Sequence, residues 1–417
     1  MAEPRLDDDL LAPASLVDPF PQLAVLRERD PVRWSERYRA WLLTRYDDCA
    51  AAHTDPHFSS DRMTPLLRRA EEHGAPDALL AALRVLAGWM TFKDGPPHRR
   101  LRGLVLRAFT PRTVARMREG IAAVADELLD DLDDDARGEA DLVAQLAYPL
   151  PAIVIAEMLG VPPADRDRFK AWSRDVAALV FGAVDDPDRY ERAQAGMGEL
   201  IAYFEELIDQ AREREDDVLL CHLVRAQTPE GDALTRTELL AMCTLLLFGG
   251  HETTTNLLSS GLLALLRHPD QLALLAGDDA LAQSAVEEFL RYDGPTRLSV
   301  RVMAEPLELR DRSLRAGDRV FLVLAAANRD PERFERPDEL DITRDPNAQI
   351  GFGLGPHYCL GAPLARLEAQ LTIPRAIRRL RELELAVDAA QLRWQPTLLS
   401  RSLRSLPVRF SGVTSAS

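Results

Sequence analysis

Apolar residues recur at three- and four-residue intervals through most of this 417-residue chain, the spacing of amphipathic helices. "TVARMREGIAAVADELLDDLDDD", "YPLPAIVIAEMLGV" and "YERAQAGMGELIAYFEELIDQAR" all read this way, and the pattern stays mostly helical from Ala78 to about Leu383. The longest such stretch is "RTELLAMCTLLLFGGHETTTNLLSSGLLALLRHPD", with Thr235 or Thr237 as its cap and Pro269 at its close. That predicts a helix of about 30 residues, roughly 45 Å long. Its first half is apolar all round, which places it through the middle of the protein.

Strand patterns are few. "VRWSERYRAWLLT" has turn-like and β-like character near the start, and "PLELRDRSLRAGDRVFLVLAA" predicts a hairpin closed near Asp311 to Ser313. "LRWQPTLLSRSLRSLPVRF" predicts a further strand pair at the end. Length alone argues for two or three domains. A helical body with small sheets from both ends of the sequence argues instead for one intertwined domain over residues 1–417. The expected fold class is mainly α with small β-sheets.

Composition narrows the function. The apolar fraction of 46% is enough for a sizeable core. There are 51 basic and 67 acidic residues, a net charge of −16, which argues against a nucleic-acid or anionic-membrane binder. The acidic N-terminus "MAEPRLDDDLLAPASL" lacks the layout of a signal peptide, and the apolar run from Leu239 to Phe248 is too short for a bilayer. A cytoplasmic protein is expected. Four scattered cysteines exclude a disulfide ladder, a zinc knuckle and a four-cysteine iron–sulfur site.

One cysteine stands apart. "GFGLGPHYCLG", residues 351–361, surrounds Cys359 with four glycines. Glycine costs backbone entropy and packs nothing, so the loop is built for something large to approach its backbone. "LGAPLARLEAQLTIPRAIRRL" follows as a helix with Pro363 in its first turn. Cys359 would precede a helix N-terminus, whose free amides favour a thiolate. Such a thiolate can be the sole protein ligand of a haem iron. Cys49, Cys221 and Cys243 read as ordinary buried thiols.

A second cluster, "FGGHETTTN", lies inside the long helix. Two adjacent helical glycines cost about 1 kcal/mol each relative to alanine. The Thr253 hydroxyl can bond the Gly249 carbonyl four residues back, and the distortion can open a groove where Glu252 and Thr253 relay protons. A solvated patch is the alternative reading. Glu288 and Arg291 in "VEEFLRY" are spaced to pair on one helix face, as are His98 and Arg102 in "PPHRRLRGLVLRAF".

"FGLGPHYCLG" resembles the haem-binding signature of the cytochrome P450 family, Phe-Gly-x-Gly-x-His-x-Cys-x-Gly, at Phe352, Gly353, Gly355, His357, Cys359 and Gly361. The resemblance runs from about Asp18 to Phe410. It implies the family's fold, with a long central helix over the haem, and makes Cys359 the iron's axial ligand, with Phe352, Gly353 and Gly361 around it. "GGHETT" resembles the oxygen-activation motif, so Glu252 and Thr253 would deliver protons to dioxygen. Glu288 and Arg291 match a buried structural pair tied to "NRDPERFERPDELDITR". His98, Arg102, Arg301 and His357 match the residues that hold the haem carboxylates. The usual Asp-Pro-Pro-x-His opening is here Asp94-Gly95-Pro96-Pro97-His98.

The resemblance further implies a haem-thiolate monooxygenase of bacterial specialised metabolism that puts one oxygen atom of O2 into an apolar small molecule by hydroxylation or epoxidation. The cofactor would be haem b, with NAD(P)H electrons arriving through a ferredoxin and its reductase. Arg99, Arg100, Arg107 and Arg112 form a basic island suited to an acidic donor. By position the substrate pocket would use Leu86, Trp89, Met90, Phe181, Leu245, Phe248, Gly249, Thr296, Arg297, Leu298 and Leu399. A monomer without nucleic-acid or membrane partners is expected. A peroxide-driven peroxygenase would share Cys359 without needing Glu252 and Thr253, and a non-catalytic haem sensor is the rival from another class.

Overall fold

Thr235 starts the longest helix in the computed structural model, which describes residues 6–132, 138–165, 168, 171–172, 176 and 189–414. Its hydroxyl accepts from the Glu238 amide while the Glu238 carboxylate accepts from the Thr235 amide, a reciprocal cap that decides between the two candidate threonines. The helix runs Arg236–Arg267, 32 residues, or about 48 Å. It stays helical through Gly249 and Gly250.

This helix is the axle of the main core. Helices Asp77–Gly88, Pro149–Leu159, Ala282–Asp293 and Ala362–Arg379 pack around it. Gly261 permits one of the closest approaches, since a Cβ there would meet Ile373 Cδ1 at 2.9 Å and the Phe289 ring at 3.0 Å. Burying the helix on all sides explains why its sequence shows little amphipathic pattern.

Strands from residues 32–59 and 299–322 meet in one five-stranded sheet, in the order Val32–Ser35, Ala40–Leu43, Arg319–Leu322, Ser299–Met303, Phe58–Ser59. Its pairs are antiparallel except Ala40–Leu43 with Arg319–Leu322, which run parallel. The expected hairpin forms from Leu307–Leu309 and Arg312–Leu314. It turns at Arg310 and Asp311, both at positive φ, one residue earlier than the sequence suggested. The strand Arg319–Leu322 leaves the hairpin for the large sheet. Near the C-terminus, Pro407–Arg409 pairs with Glu139–Asp141 and Glu384–Leu385 rather than with its immediate predecessor.

Candidate active site

Glu288 and Arg291 show how the cysteine loop is anchored. Arg291 donates to both Glu288 oxygens at 2.8 Å and to the carbonyls of Asn328, Pro337 and Glu339. Glu288 also accepts from Arg344, Asn347 and the Asp341 amide. The Asn328 side chain in turn accepts from the Ile350 amide, at the start of the cysteine loop. The pair thus ties its helix to the whole segment before Cys359.

The loop itself is shaped by glycine. Gly353 and Gly355 adopt φ of +71° and +66°, which side-chain-bearing residues rarely do. A Cβ on Gly355 would strike Thr54 Cγ2 at 2.7 Å. The Cys359 amide donates to the Phe352 carbonyl at 3.0 Å, and Arg102 donates to the Tyr358 carbonyl at 2.7 Å. Arg366 sits over the Phe352 ring and bonds Glu287 and the Tyr358 hydroxyl. Helix Ala362–Arg379 begins three residues after Cys359, as expected. Burial nevertheless pushes the thiol's pKa up, outweighing the pull of the Gly361 and Ala362 amides and of Arg102 and Arg366. The helix terminus alone does not lower this thiol's pKa.

Cys359 faces a cavity of about 330 Å³ whose opposite wall is the central helix. Leu245, Leu246, Gly249, Gly250, Thr253, Thr254 and Leu257 line it, one stripe at 100° per residue. A Cβ on Gly249 would meet nothing within 4 Å, so this glycine leaves open space at the wall. Thr253 donates its hydroxyl to the Gly249 carbonyl at 2.6 Å, the expected back-bond. Glu252 falls at the margin of the stripe and does not line the cavity. Burial raises its carboxyl pKa to about 7.

The pocket expectations divide on the same helical geometry. Met90, Leu245, Gly249 and Thr296 line the cavity. Trp89 and Phe248 do not. Phe248 projects from the neighbouring stripe with Thr244, and Trp89 stacks between Phe92 and Phe248 while donating to the Thr244 hydroxyl at 2.9 Å. They are core, so no bulky Phe248 restricts the space beside Gly249. Leu86, Arg297, Leu298 and Leu399 also lie outside the lining; Arg297 turns away to the Leu10 carbonyl. Phe181 lies outside the described residues.

Two arginines and two histidines, Arg102, Arg301, His98 and His357, share the cavity lining. The two imidazoles stack at 4.1 Å, and His357 lies 3.6 Å from Asp94. Asp94 precedes helix Gly95–Ala108, and hydrogen bonds from His357, Ser59 and the Ser60 amide outweigh burial and hold its carboxyl well below the usual range. Gly95 stands where the usual motif has its first proline, at φ +55°, and with the Asp94-to-His98 spacing kept His98 still reaches the cavity. Among the described residues neither Arg102 nor Arg301 has a carboxylate partner. Burial lowers the Arg301 pKa to about 10, an arrangement that asks for anionic ligands. Arg62, over the Phe92 ring at 4.7 Å and near Arg301, has no carboxylate partner among the described residues.

Three of these residues escaped the sequence reading. His53 and Glu368 line the cavity, and Arg62 flanks it, yet none belongs to a spaced motif. Glu368 is buried, one of its carboxylate oxygens has no partner among the described residues, and burial raises its pKa well above the ordinary value. Of the basic island, Arg100 is committed to Asp232 and Glu238. Arg99, Arg107 and Arg112 are exposed.

Comparison with known proteins identifies the ensemble. The family model "Cytochrome P450" matches residues 77–275 and 280–396. The chain is 41% identical to cytochrome P450 monooxygenase PikC of Streptomyces venezuelae, over 98% of this chain and 94% of that protein. It is 42% identical to the vitamin D(3) 25-hydroxylase of Pseudonocardia autotrophica, covering 96% of each. The solved structure of the polyketide-synthase cytochrome P450 PksS from Bacillus subtilis 168 superposes with a TM-score of 0.87 at 36% identity, over 96% of this chain and 99% of that one.

Proposed function

The chain belongs to the cytochrome P450 family and is a monooxygenase that uses haem, O2 and NAD(P)H-derived electrons, and on that premise we propose the roles of its residues. It inserts one oxygen atom into a small molecule, as bacterial relatives in specialised metabolism do. Residues 1–417 form one such unit, consistent with strands from residues 40–43 and 319–322 pairing in a single sheet.

Cys359 would hold the haem iron through its sulfur, and the haem would be haem b. The fit rests on the chain's own features: a glycine-lined loop, Gly361, where a Cβ would lie 4.0 Å from the sulfur, and Arg102 and Arg301 on the cavity with no carboxylate partner among the described residues. Arg102, Arg301, His98 and His357 hold the two haem carboxylates by charge-assisted hydrogen bonds. Phe352 and Gly353 complete the loop around the ligand. A thiolate-bound haem supplies the activation of O2.

Thr253 and Glu252 manage protons on the opposite wall. The Thr253 proton goes to the Gly249 carbonyl, so its oxygen is left to accept a hydrogen bond from the cavity. Glu252, with a carboxyl titrating near neutrality, is suited to exchange protons with solvent. This acid–alcohol pair favours the O2 route over a peroxide-driven one, and a catalyst over a sensor. Glu288 and Arg291 are structural.

The substrate is an apolar molecule bound against Met90, Ile155, Leu245, Leu246 and Gly249, with the Thr91 and Thr296 hydroxyls as polar anchors. The named activities of the relatives, on vitamin D(3) and in polyketide biosynthesis, support a large apolar alcohol or macrolactone. Met90, Leu245, Gly249 and Thr296 determine its fit. Electrons come from a ferredoxin and its reductase, docked near Arg99, Arg107 and Arg112, and the enzyme works as a cytoplasmic monomer.

The observation that carries this reading is the placement of Cys359 and Thr253 across one cavity that Arg102 and Arg301 also line. The spectrum of the dithionite-reduced protein under carbon monoxide tests it. A far-red-shifted Soret band in the wild type and its loss in Cys359→Ser is the expected result. The same band in both proteins would remove Cys359 from the iron. Product formed under ¹⁸O2 with a reconstituted ferredoxin chain should carry one labelled oxygen.

A further inference from the structure

His53 occupies the end of helix Tyr46–Ala52, far in sequence from every motif above. It is 6% exposed and lines the same cavity as Cys359. Its ring packs against the cysteine loop: a Cβ on Gly353 would lie 3.3 Å from His53 Cε1. Arg301 donates from its NH2 group to His53 Nδ1, 3.2 Å away.

That contact determines the tautomer. A guanidinium has only donors, so Nδ1 must be the acceptor and the ring proton must sit on Nε2. Burial, with Arg301 and His357 nearby, lowers the ring's pKa to about 3, so it stays neutral at working pH. Nε2–H is therefore an obligatory donor. It is buried and has no hydrogen-bond partner among the described residues. A buried donor left unpaired costs about 1–3 kcal/mol. The acceptor has to come from what fills the cavity.

We propose that His53 is a further haem-binding residue, donating its Nε2–H to a carboxylate of the bound haem while Arg301 holds its tautomer. The inference rests on the haem reading above. The alternative acceptors, a trapped water or none, define its test. Arg301 then does two jobs, a direct charge toward the carboxylates and an indirect one through the imidazole. The group recognised is the porphyrin's carboxylate, so the effect lies in cofactor retention and not in substrate choice.

The test uses the ferric holoenzyme and two substitutions. His53→Leu keeps bulk and removes the donor; His53→Gln returns an amide N–H at the position of Nε2. Haem transfer to excess apomyoglobin should be roughly tenfold faster for His53→Leu, about the worth of one charge-assisted hydrogen bond. His53→Gln should recover most of that. The propionate bending band in the resonance Raman spectrum should move in His53→Leu and return in His53→Gln. Haem loss within twofold of wild type, with an unmoved bending band, would overturn the proposal and leave His53 as packing or a water's partner. Should His53→Leu not fold, His53→Asn, polar but one bond too short, takes its place with the same expectation. A wild type that shows no thiolate band under carbon monoxide would instead sink the haem reading itself.

Discussion

Arg291 grips both oxygens of Glu288 at 2.8 Å, and neither side chain has any exposed surface. The two residues lie one helical turn apart, but every other partner they have comes from residues 328–347. Breaking such a buried pair strands a charge and costs about 3–5 kcal/mol. Arg291→Ala should fold poorly and lose haem. Arg291→Lys should be little better, because an ammonium cannot fork to Glu288 and still reach three carbonyls. The ratio of haem absorbance to protein absorbance in the purified variants, with denaturant midpoints, checks both.

Thr253→Ala should leave the helix intact, since alanine is a better helix former and the lost hydroxyl bond only returned to Gly249. What falls is the product formed per NAD(P)H consumed, by about 10²-fold if general acid help is lost. Haem content and the carbon monoxide band should not change. Unchanged coupling would exclude the Thr253 hydroxyl from proton handling.

Glu252 makes a pH prediction of definite sign. Burial raises its carboxyl from 4.5 to about 7 in the fold. Between those values the unfolded chain has given up this proton while the folded chain retains it, so the group's contribution to stability falls as pH rises through the window and is flat above it. Glu252→Gln cannot ionise. The variant should gain stability on the wild type from pH 5 to 7.5, by at most about 3 kcal/mol. Thermal melts across that range check it; a constant difference would show an unshifted carboxyl.

Phe248 and Leu245 should respond oppositely. Phe248→Ala opens the Trp89–Phe248 stack and should cost about 3–5 kcal/mol with little effect on a substrate-induced spin shift. Leu245→Ala, on the cavity wall, should cost less and change the spin shift or the product pattern. A panel of apolar substrates titrated into both variants separates the two.

Arg107 and Arg112 should matter to the electron donor alone. Reversing both to glutamate should slow reduction by an acidic ferredoxin about tenfold or more at low salt, with the difference shrinking as salt screens the patch. Reduction by dithionite should be unaffected. Stopped-flow traces at two ionic strengths decide it.

Local features of the sequence foresaw much of this. Glycine spacing around Cys359, the i,i+3 pair of Glu288 and Arg291, and the four-residue spacing of His98 and Arg102 are properties of a few neighbouring residues, and the helices that carry them form where their periodicity says. The parallel strand pair of residues 40–43 and 319–322 has no such signal, because its two halves are joined only by the folding of everything between. Phe248 and Gly249 show the limit sharply: adjacent in sequence, they point about 100° apart on one helix, one into the core and one into the cavity.

The sequence by itself determined the chemistry available: one thiol in a glycine loop, one acid–alcohol pair, a set of arginines and histidines. Those are choices of residue type and short spacing. The tertiary structure alone decided which of them share a cavity, that burial raises the Cys359 thiol's pKa and lifts Glu252 toward neutrality, and that His53 carries a buried N–H with no partner among the described residues. Desolvation and orphaned hydrogen bonds depend on what surrounds a group in space, and no stretch of sequence contains that.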